Sequence, residues 1–148
     1  MFSQRRSCGY FRIALTAVAL AGATFFPLRA VAASVTFRAE LKGAHVVPST
    51  ASSAVGFLHA TYDTESRVLT WTGTHSGLSS KVTRIAFHGP ASPNETAGIV
   101  ESIRRLSGGS AILSEQEAAD LIGGYWNITI HTRAHDDGEI RGQLLRGE

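Results

Sequence analysis

Regular alternation of apolar and polar residues is the feature that most constrains the fold of this chain. Between Val35 and Leu41, every second residue is apolar, which places one apolar face and one polar face on an extended strand. Similar runs, separated by turn-forming residues, lie at about residues 55–62, 68–74, 82–88, 125–131 and 139–145, and residues 99–106 fit a shorter one. Short strands at this close spacing predict an all-β domain, either a sandwich or a barrel.

One segment departs from this pattern and predicts a short helix at residues 114–123. Ser114 and Glu117 fit a capping box, in which each side chain accepts a hydrogen bond from the other residue's backbone N–H. An apolar stripe follows them, and the pair Gly123-Gly124 ends the helix.

The first 32 residues have the layout of a secretory signal peptide. A basic start is followed by an uncharged stretch from Ile13 to Phe26 and then by small residues, which predicts cleavage near Ala32 and Ala33. The apolar stretch is shorter than the roughly 20 residues that a transmembrane helix needs. We therefore expect a secreted or periplasmic domain of residues 33–148, with no membrane span after cleavage of the signal peptide.

The charge of the chain changes sign when the leader is set aside. Four of the 14 Lys and Arg residues lie in residues 1–32, so the remainder carries 10 against 12 Asp and Glu, a net charge of −2. This balance does not support a nucleic-acid-binding face. The single cysteine, Cys8, also lies in the leader, so we expect a one-domain fold stabilised by burial and hydrogen bonding without disulfides.

Strand periodicity places two histidines on the face opposite the apolar side chains. In the strand at residues 82–88, His88 lies on the face opposite the alternating apolar residues. His131 does the same in the strand at residues 125–131. Both are therefore expected on outward faces, each at the C-terminal end of its strand. The two imidazoles are expected to converge if these strands are neighbours in one sheet.

A metal site is one interpretation of these histidines. Neutral imidazole binds copper and zinc well, and a domain without cysteine has only histidine and carboxylate side chains to offer. We consider a copper or zinc site at His88 and His131, completed by His135 or His59. The alternative is that each histidine is solvated or hydrogen-bonded, because no diagnostic metal-binding spacing is present.

The polar segment between the last two predicted strands has an ordinary explanation as a turn. Asp136-Asp137-Gly138 is a strong turn signal. Arg133 and Arg141 are placed to pair with these carboxylates or with Glu139, and exposed pairs of this kind contribute only about 0–1 kcal/mol. The chain contains no nucleophile elbow and no phosphate-binding loop. We therefore expect the domain not to be an enzyme.

A series of short motifs spans almost all of residues 35–145. The motifs run from Phe37-x-Ala39-x-Leu41-x-Gly43-Ala44-x-x-Val47-Pro48, through Ser76-Gly77-Leu78 and His88-Gly89-Pro90-Ala91, to His131-Thr132 and Gly138-Glu139-Ile140-Arg141-Gly142-Gln143-Leu144. In this order they resemble the CHRD domain family, which is named after chordin. The closing motif and the His-Thr pair before it are the most specific parts of the resemblance.

The resemblance implies an extracellular or cell-envelope domain with an immunoglobulin-like or Greek-key β-sandwich or barrel. In chordin the domain is part of a secreted antagonist of growth-factor signalling, and that role is not carried over to a lone domain. The biochemical role of the family is largely undefined. The resemblance therefore implies a non-enzymatic binding or interaction module for an unknown protein or metal ligand.

The family often has His-x-His-Gly-Pro where this chain has Ala86-Phe87-His88-Gly89-Pro90. The full pattern, with the later His-Thr, is similar to the strand histidines that bind copper in Cu/Zn superoxide dismutase. Only His88 and His131 match it here, since Ala86 replaces the first histidine. This departure weakens the copper or zinc alternative, and it also weakens a third alternative, a superoxide-dismutase-like redox enzyme.

Overall fold

The computed structural model describes residues 33–147. The predicted signal peptide, residues 1–32, lies outside this range, so its cleavage and the export that it implies stay predictions. In the part of the chain that is described, no helix is both long enough and apolar enough to cross a membrane.

The described residues form nine strands, a 3-10 turn at Gly43–His45 and one α-helix. The strands are β1 (Ser34–Lys42), β2 (Val55–Asp63), β3 (Val68–Ser76), β4 (Val82–His88), β5 (Ile99–Ile103), β6 (Gly109–Ile112), β7 (Asn127–Thr132), β8 (Ile140–Gln143) and β9 (Leu145–Arg146), and the helix is α1 (Glu115–Ile122). The prediction of an all-β domain with one short helix is confirmed.

The strands form one sheet in the order β5-β4-β7-β8-β1-β2-β3-β6, with β9 paired to β1. Consecutive strands β1, β2 and β3 pair antiparallel over their full lengths. Strands β4 and β5 also pair as consecutive strands, and so do β7 and β8. The other neighbours are distant in sequence, since β4 pairs with β7, β8 with β1, and β3 with β6. This order makes β4 and β7 direct neighbours, as the histidine hypothesis requires.

The sheet curls until it nearly closes around an apolar core. Trp71 on β3 and Phe87 on β4 meet edge to face, with ring centroids 5.3 Å apart, although four strands separate β3 from β4 in the sheet. Trp126 extends this aromatic cluster at 5.6 Å from Phe87. Aromatic side chains bury a large apolar area and favour such edge-to-face contacts. The sheet therefore resembles a barrel more than two separate layers.

The helix begins where its capping box predicts. The Ser114 Oγ accepts a hydrogen bond from the Glu117 N–H at 3.3 Å, and the Glu117 carboxylate accepts one from the Ser114 N–H at 2.7 Å. Ala118 and Leu121 are buried against the core. Gly123 caps the C-terminus, so the predicted limits of the helix agree with the structure to within one residue.

Two predicted strands are shorter than expected. The run at residues 139–145 is interrupted at Leu144, whose side chain is fully buried and whose backbone N–H donates to the Trp126 carbonyl. The run at residues 99–106 ends at Ile103, because the chain then turns and buries Leu106. In both places a buried leucine outside the ladder continues the apolar pattern that predicted a strand.

Candidate functional site

The register between two paired strands determines the backbone positions of the two histidines. Strands β4 and β7 pair antiparallel, with His88 opposite Asn127 and Arg84 opposite His131. The condition for convergence of the two imidazoles, that these strands are neighbours, is therefore met. However, the C-terminal ends of antiparallel strands lie at opposite ends of the pair, so the two histidines are separated along it by four residues, roughly 13 Å. A shared strand end does not bring them together.

The imidazole rings converge because the two side chains extend towards each other along the sheet. Their Nε2 atoms are 3.5 Å apart, and the ring centroids are 5.6 Å apart at an angle of 40°. Between the two histidines lies the paired position of Ala86 and Thr129. Ala86 is fully buried and has the smallest side chain after glycine, so the rings meet above it without obstruction.

Backbone carbonyls determine which ring nitrogens carry the protons. The Nδ1 of His131 lies 2.7 Å from the Asp136 carbonyl oxygen, and the Nδ1 of His88 lies 3.1 Å from the Ala97 carbonyl oxygen. A carbonyl only accepts hydrogen bonds, so we assign the proton to Nδ1 in both rings. At His131 the Nη2 of Arg84, a donor, also lies 3.2 Å from Nδ1, but the contact with the carbonyl is shorter by 0.5 Å and decides the assignment. Each Nε2 therefore presents a lone pair, and the two lone pairs face each other.

The surroundings of the rings favour the neutral imidazole. Burial lowers the pKa of His88, and repulsion from His131 in its protonated form, from Arg84 and from Arg141 lowers it further, against the opposing effect of the Ala97 carbonyl. Burial also lowers the pKa of His131, with Arg84 acting in the same direction and the Asp136 carbonyl opposing both. Both histidines are therefore neutral at pH 7, which is the form that binds metal ions.

Loops cover the face on which the histidines lie and form a cavity of about 340 Å³. The sequence predicts that both histidines lie on outward faces. The structure places them on the face opposite the core, but because loops cover this face, only 4% of His131 is exposed and His88 is half-buried. The cavity is lined by Val46, Val47, Pro48, Arg84, His88, Thr96, Ala97, Asn127, Thr129, His131, Asp137 and Arg141. We call it the histidine cavity.

The other two candidate ligands lie elsewhere. His59 is exposed on β2, in register with Arg38 on one side and Thr72 on the other. His135 lies in the turn after β7, where its backbone bonds to Thr132. Neither residue lines the histidine cavity. Within residues 33–147, no group of three His, Cys, Asp or Glu side chains is arranged to hold a metal ion.

Two arginines are the main features of the site that the sequence interpretation did not recognise. Arg84 follows the same alternation as His88, and its Nη2 atom lies 3.2 Å from the Nδ1 of His131. The sequence places Arg141 within reach of the carboxylates of the turn, where an exposed ion pair is one expectation, whereas in the structure Arg141 is buried and lines the cavity. For Arg84 a signal was present, because the alternation in β4 places it on the same face as His88. No local signal predicts the burial of Arg141, because loops distant in sequence cover it.

The fold and the site together define a class: a curled all-β domain whose loops cover a pair of neutral histidines, with a buried arginine and an exposed arginine beside them. The family is shown by the match of residues 37–144 to the model of the CHRD domain. The chain belongs to the CHRD domain family, as its motifs indicate. No curated protein and no solved structure gives a significant match to the chain.

Proposed function

We propose that this protein is a non-enzymatic, exported binding domain that holds one copper or zinc ion in the histidine cavity. One observation carries the proposal: the Nε2 atoms of His88 and His131, both of which we assign as unprotonated, lie 3.5 Å apart. Two lone pairs at this distance repel each other, and a cation between them removes the repulsion. The Nδ1–H groups bound to carbonyls match the second shell of metal-binding histidines.

The distance between the two nitrogens fits a metal ion. At an Nε2–metal distance of about 2.05 Å, a separation of 3.5 Å corresponds to an N–metal–N angle of about 117°. This angle lies between tetrahedral and trigonal values. The two rings therefore need little movement to bind one ion together.

Two imidazoles leave part of the coordination shell open. A four-coordinate ion would take its remaining ligands from water or a small anion, since the described residues offer no group of three ligands. Arg84 and Arg141 place positive charge nearby, which disfavours a cation and favours an anionic co-ligand. We therefore expect an exchangeable site, with copper bound more tightly than zinc, as the general order of affinities predicts.

The lining of the cavity supports binding over catalysis by a nucleophile. The hydroxyl of Thr129 donates to the amide oxygen of Asn127 at 3.1 Å, so it is engaged away from the two rings. Neither histidine is oriented by a carboxylate, because both Nδ1 atoms face backbone carbonyls. This arrangement differs from that of an activated nucleophile, which needs an oriented base within hydrogen-bonding distance.

The test is a calorimetric titration of the purified protein with Cu(II) and with Zn(II). We expect one ion per chain and at least a tenfold loss of affinity in His88→Ala and in His131→Ala. The matched controls His59→Ala and His135→Ala lie outside the cavity and should change the affinity less than twofold. No stoichiometric binding, or an equal loss in the control variants, would contradict the proposal.

A further inference from the structure

Arg141 is a buried cation without an acidic partner among the described residues. Only 4% of it is exposed, and its Nη2 donates one hydrogen bond, of 3.3 Å, to the Ser92 carbonyl. Within residues 33–147 the only ion pair joins Lys42 and Glu40, at 2.8 Å. Burial lowers the pKa of Arg141, which reflects the cost of removing its charge from water.

Two acidic side chains lie near Arg141, those of Glu139 and of Asp137, which lines the histidine cavity with it, but neither forms an ion pair with Arg141 within the described residues. Glu139, two residues away, accepts hydrogen bonds from Ser52, Ser79 and Thr132. A guanidinium has five N–H donors in a planar fork that matches a carboxylate or a phosphate. A buried guanidinium that is not neutralised by its own chain suits an anion supplied by a ligand.

A second cavity, of about 450 Å³, provides the space for such a ligand. Arg141 lines both cavities, and the second one adds two exposed arginines, Arg38 and Arg146. Its one carboxylate, Glu40, is paired with Lys42. We call it the arginine cavity. Three guanidiniums against one neutralised carboxylate make it locally positive in a domain whose net charge is negative.

The remaining lining of the arginine cavity is largely apolar. Leu145 is 58% exposed there, and Ala44, Val46, Val47 and Pro93 line the same space. Ligand sites commonly combine an apolar lining with a few polar groups that fix the orientation of the ligand. An anion with an apolar body matches this combination better than a bare inorganic ion.

We propose that the arginine cavity binds a small organic carboxylate, held by Arg141 and flanked by Arg38 and Arg146, with its apolar body against Leu145. A bidentate Arg–carboxylate contact is among the stronger hydrogen-bonded pairs in proteins. Arg141 lines both cavities, but Arg38, Arg146 and Leu145 line only the arginine cavity, so the proposal does not depend on the metal proposal.

The test is an NMR titration of the purified protein with benzoate and, separately, with inorganic phosphate, both in EDTA. We expect benzoate to bind more tightly than phosphate. Affinity for benzoate should fall at least tenfold in Arg141→Gln and about fivefold in the double variant Arg38→Gln/Arg146→Gln. Arg133→Gln is the matched control, because Arg133 is exposed and lines neither cavity.

The outcomes separate this proposal from the metal proposal. His88→Ala and His131→Ala should bind benzoate as the wild type does, and loss of metal binding should leave benzoate binding unchanged. If Arg141→Gln fails to fold, the double variant decides, because both of its positions are exposed. Absence of benzoate binding, tighter binding of phosphate, or equal losses in Arg133→Gln would overturn the proposal.

Discussion

Glu139 is the residue on which the loops around the site depend most. Its side chain is fully buried and has no cationic partner within the described range. Hydroxyl groups of Ser52, Ser79 and Thr132 and the backbone N–H of Ser79 donate to its carboxylate at 2.7–2.9 Å. Thr50 also donates to its backbone carbonyl. The carboxylate therefore joins the loops after β1 and β3 to the end of β7.

These hydrogen bonds make stability depend on pH. Burial opposes ionisation of Glu139, but the hydrogen bonds from Thr132, Ser79 and Ser52 outweigh it and lower the pKa to about 2, from 4.5. The folded state binds this proton less well than the unfolded state. The stabilisation is therefore complete above pH 4.5 and is lost as the pH falls towards 2. The shift corresponds to about 3–3.5 kcal/mol.

Glu139→Gln should lower the free energy of unfolding by this amount at pH 6, and the deficit should shrink at pH 2.5. Urea denaturation at the two pH values measures both quantities. Glu40→Gln is the matched control, because Glu40 forms an exposed ion pair with Lys42 and should cost less than about 1 kcal/mol. A Glu139→Gln deficit that stays constant between pH 6 and pH 2.5 would show that this carboxylate does not titrate as described.

The sequence did not predict this role of Glu139. Next to Arg141 and a turn, it was interpreted as a possible partner in an exposed ion pair. Its actual donors include Ser52 and Ser79, which lie 87 and 60 residues away. Hydrogen bonds over such separations depend on the order of strands in the sheet, which local patterns do not encode.

At the scale of single elements, close packing of β8 against β1 restricts one position to glycine. A Cβ atom built at Gly142 would lie 2.7 Å from the carbonyl oxygen of Glu40 and 2.9 Å from its carbonyl carbon. Both are backbone atoms of β1, so they cannot move away as a flexible side chain would. Strand β8 also carries Arg141, so this packing helps to position the arginine between the two cavities.

Gly142→Ala should therefore destabilise the domain by about 1–3 kcal/mol, the usual cost of overpacking. The matched control is Gly98→Ala, where a Cβ atom would meet nothing within 4 Å. That substitution should change the free energy of unfolding by less than about 0.5 kcal/mol. Urea denaturation of both variants is the measurement. Equal stability of the two variants would contradict the close approach of β8 to β1.

Elements determined by local chemistry were predicted well from the sequence. The capping box located the start of α1 at Ser114, and apolar alternation located β1 to β4 to within about two residues. Elements whose ends are determined by packing against distant parts of the chain were predicted less well. The chain leaves the ladder at Leu144 because the core takes up its side chain, and the apolar pattern alone does not distinguish that residue from a strand residue.

At the scale of the whole molecule, strand order creates the site. Alternation correctly placed His88 and His131 on the face opposite the core, but it could not establish that β4 and β7 are neighbours. Nor could it show that His59 lies on a separate exposed surface or that Arg141 is buried. These facts depend on contacts between segments far apart in the chain. The sequence therefore predicted that the two histidines share a face, but it did not predict which other residues lie beside them.

The most direct test of the central claim is X-ray absorption spectroscopy of the protein loaded with one equivalent of zinc. If the two rings share one ion, the spectrum contains two imidazole nitrogens per ion at about 2.0–2.1 Å, with oxygen ligands completing the shell. Both nitrogens should come from His88 and His131, so each single alanine variant should retain no more than one. A spectrum without imidazole ligands, or one that is identical in the wild type and in the double variant His88→Ala/His131→Ala, would contradict the claim that these two rings share a metal ion.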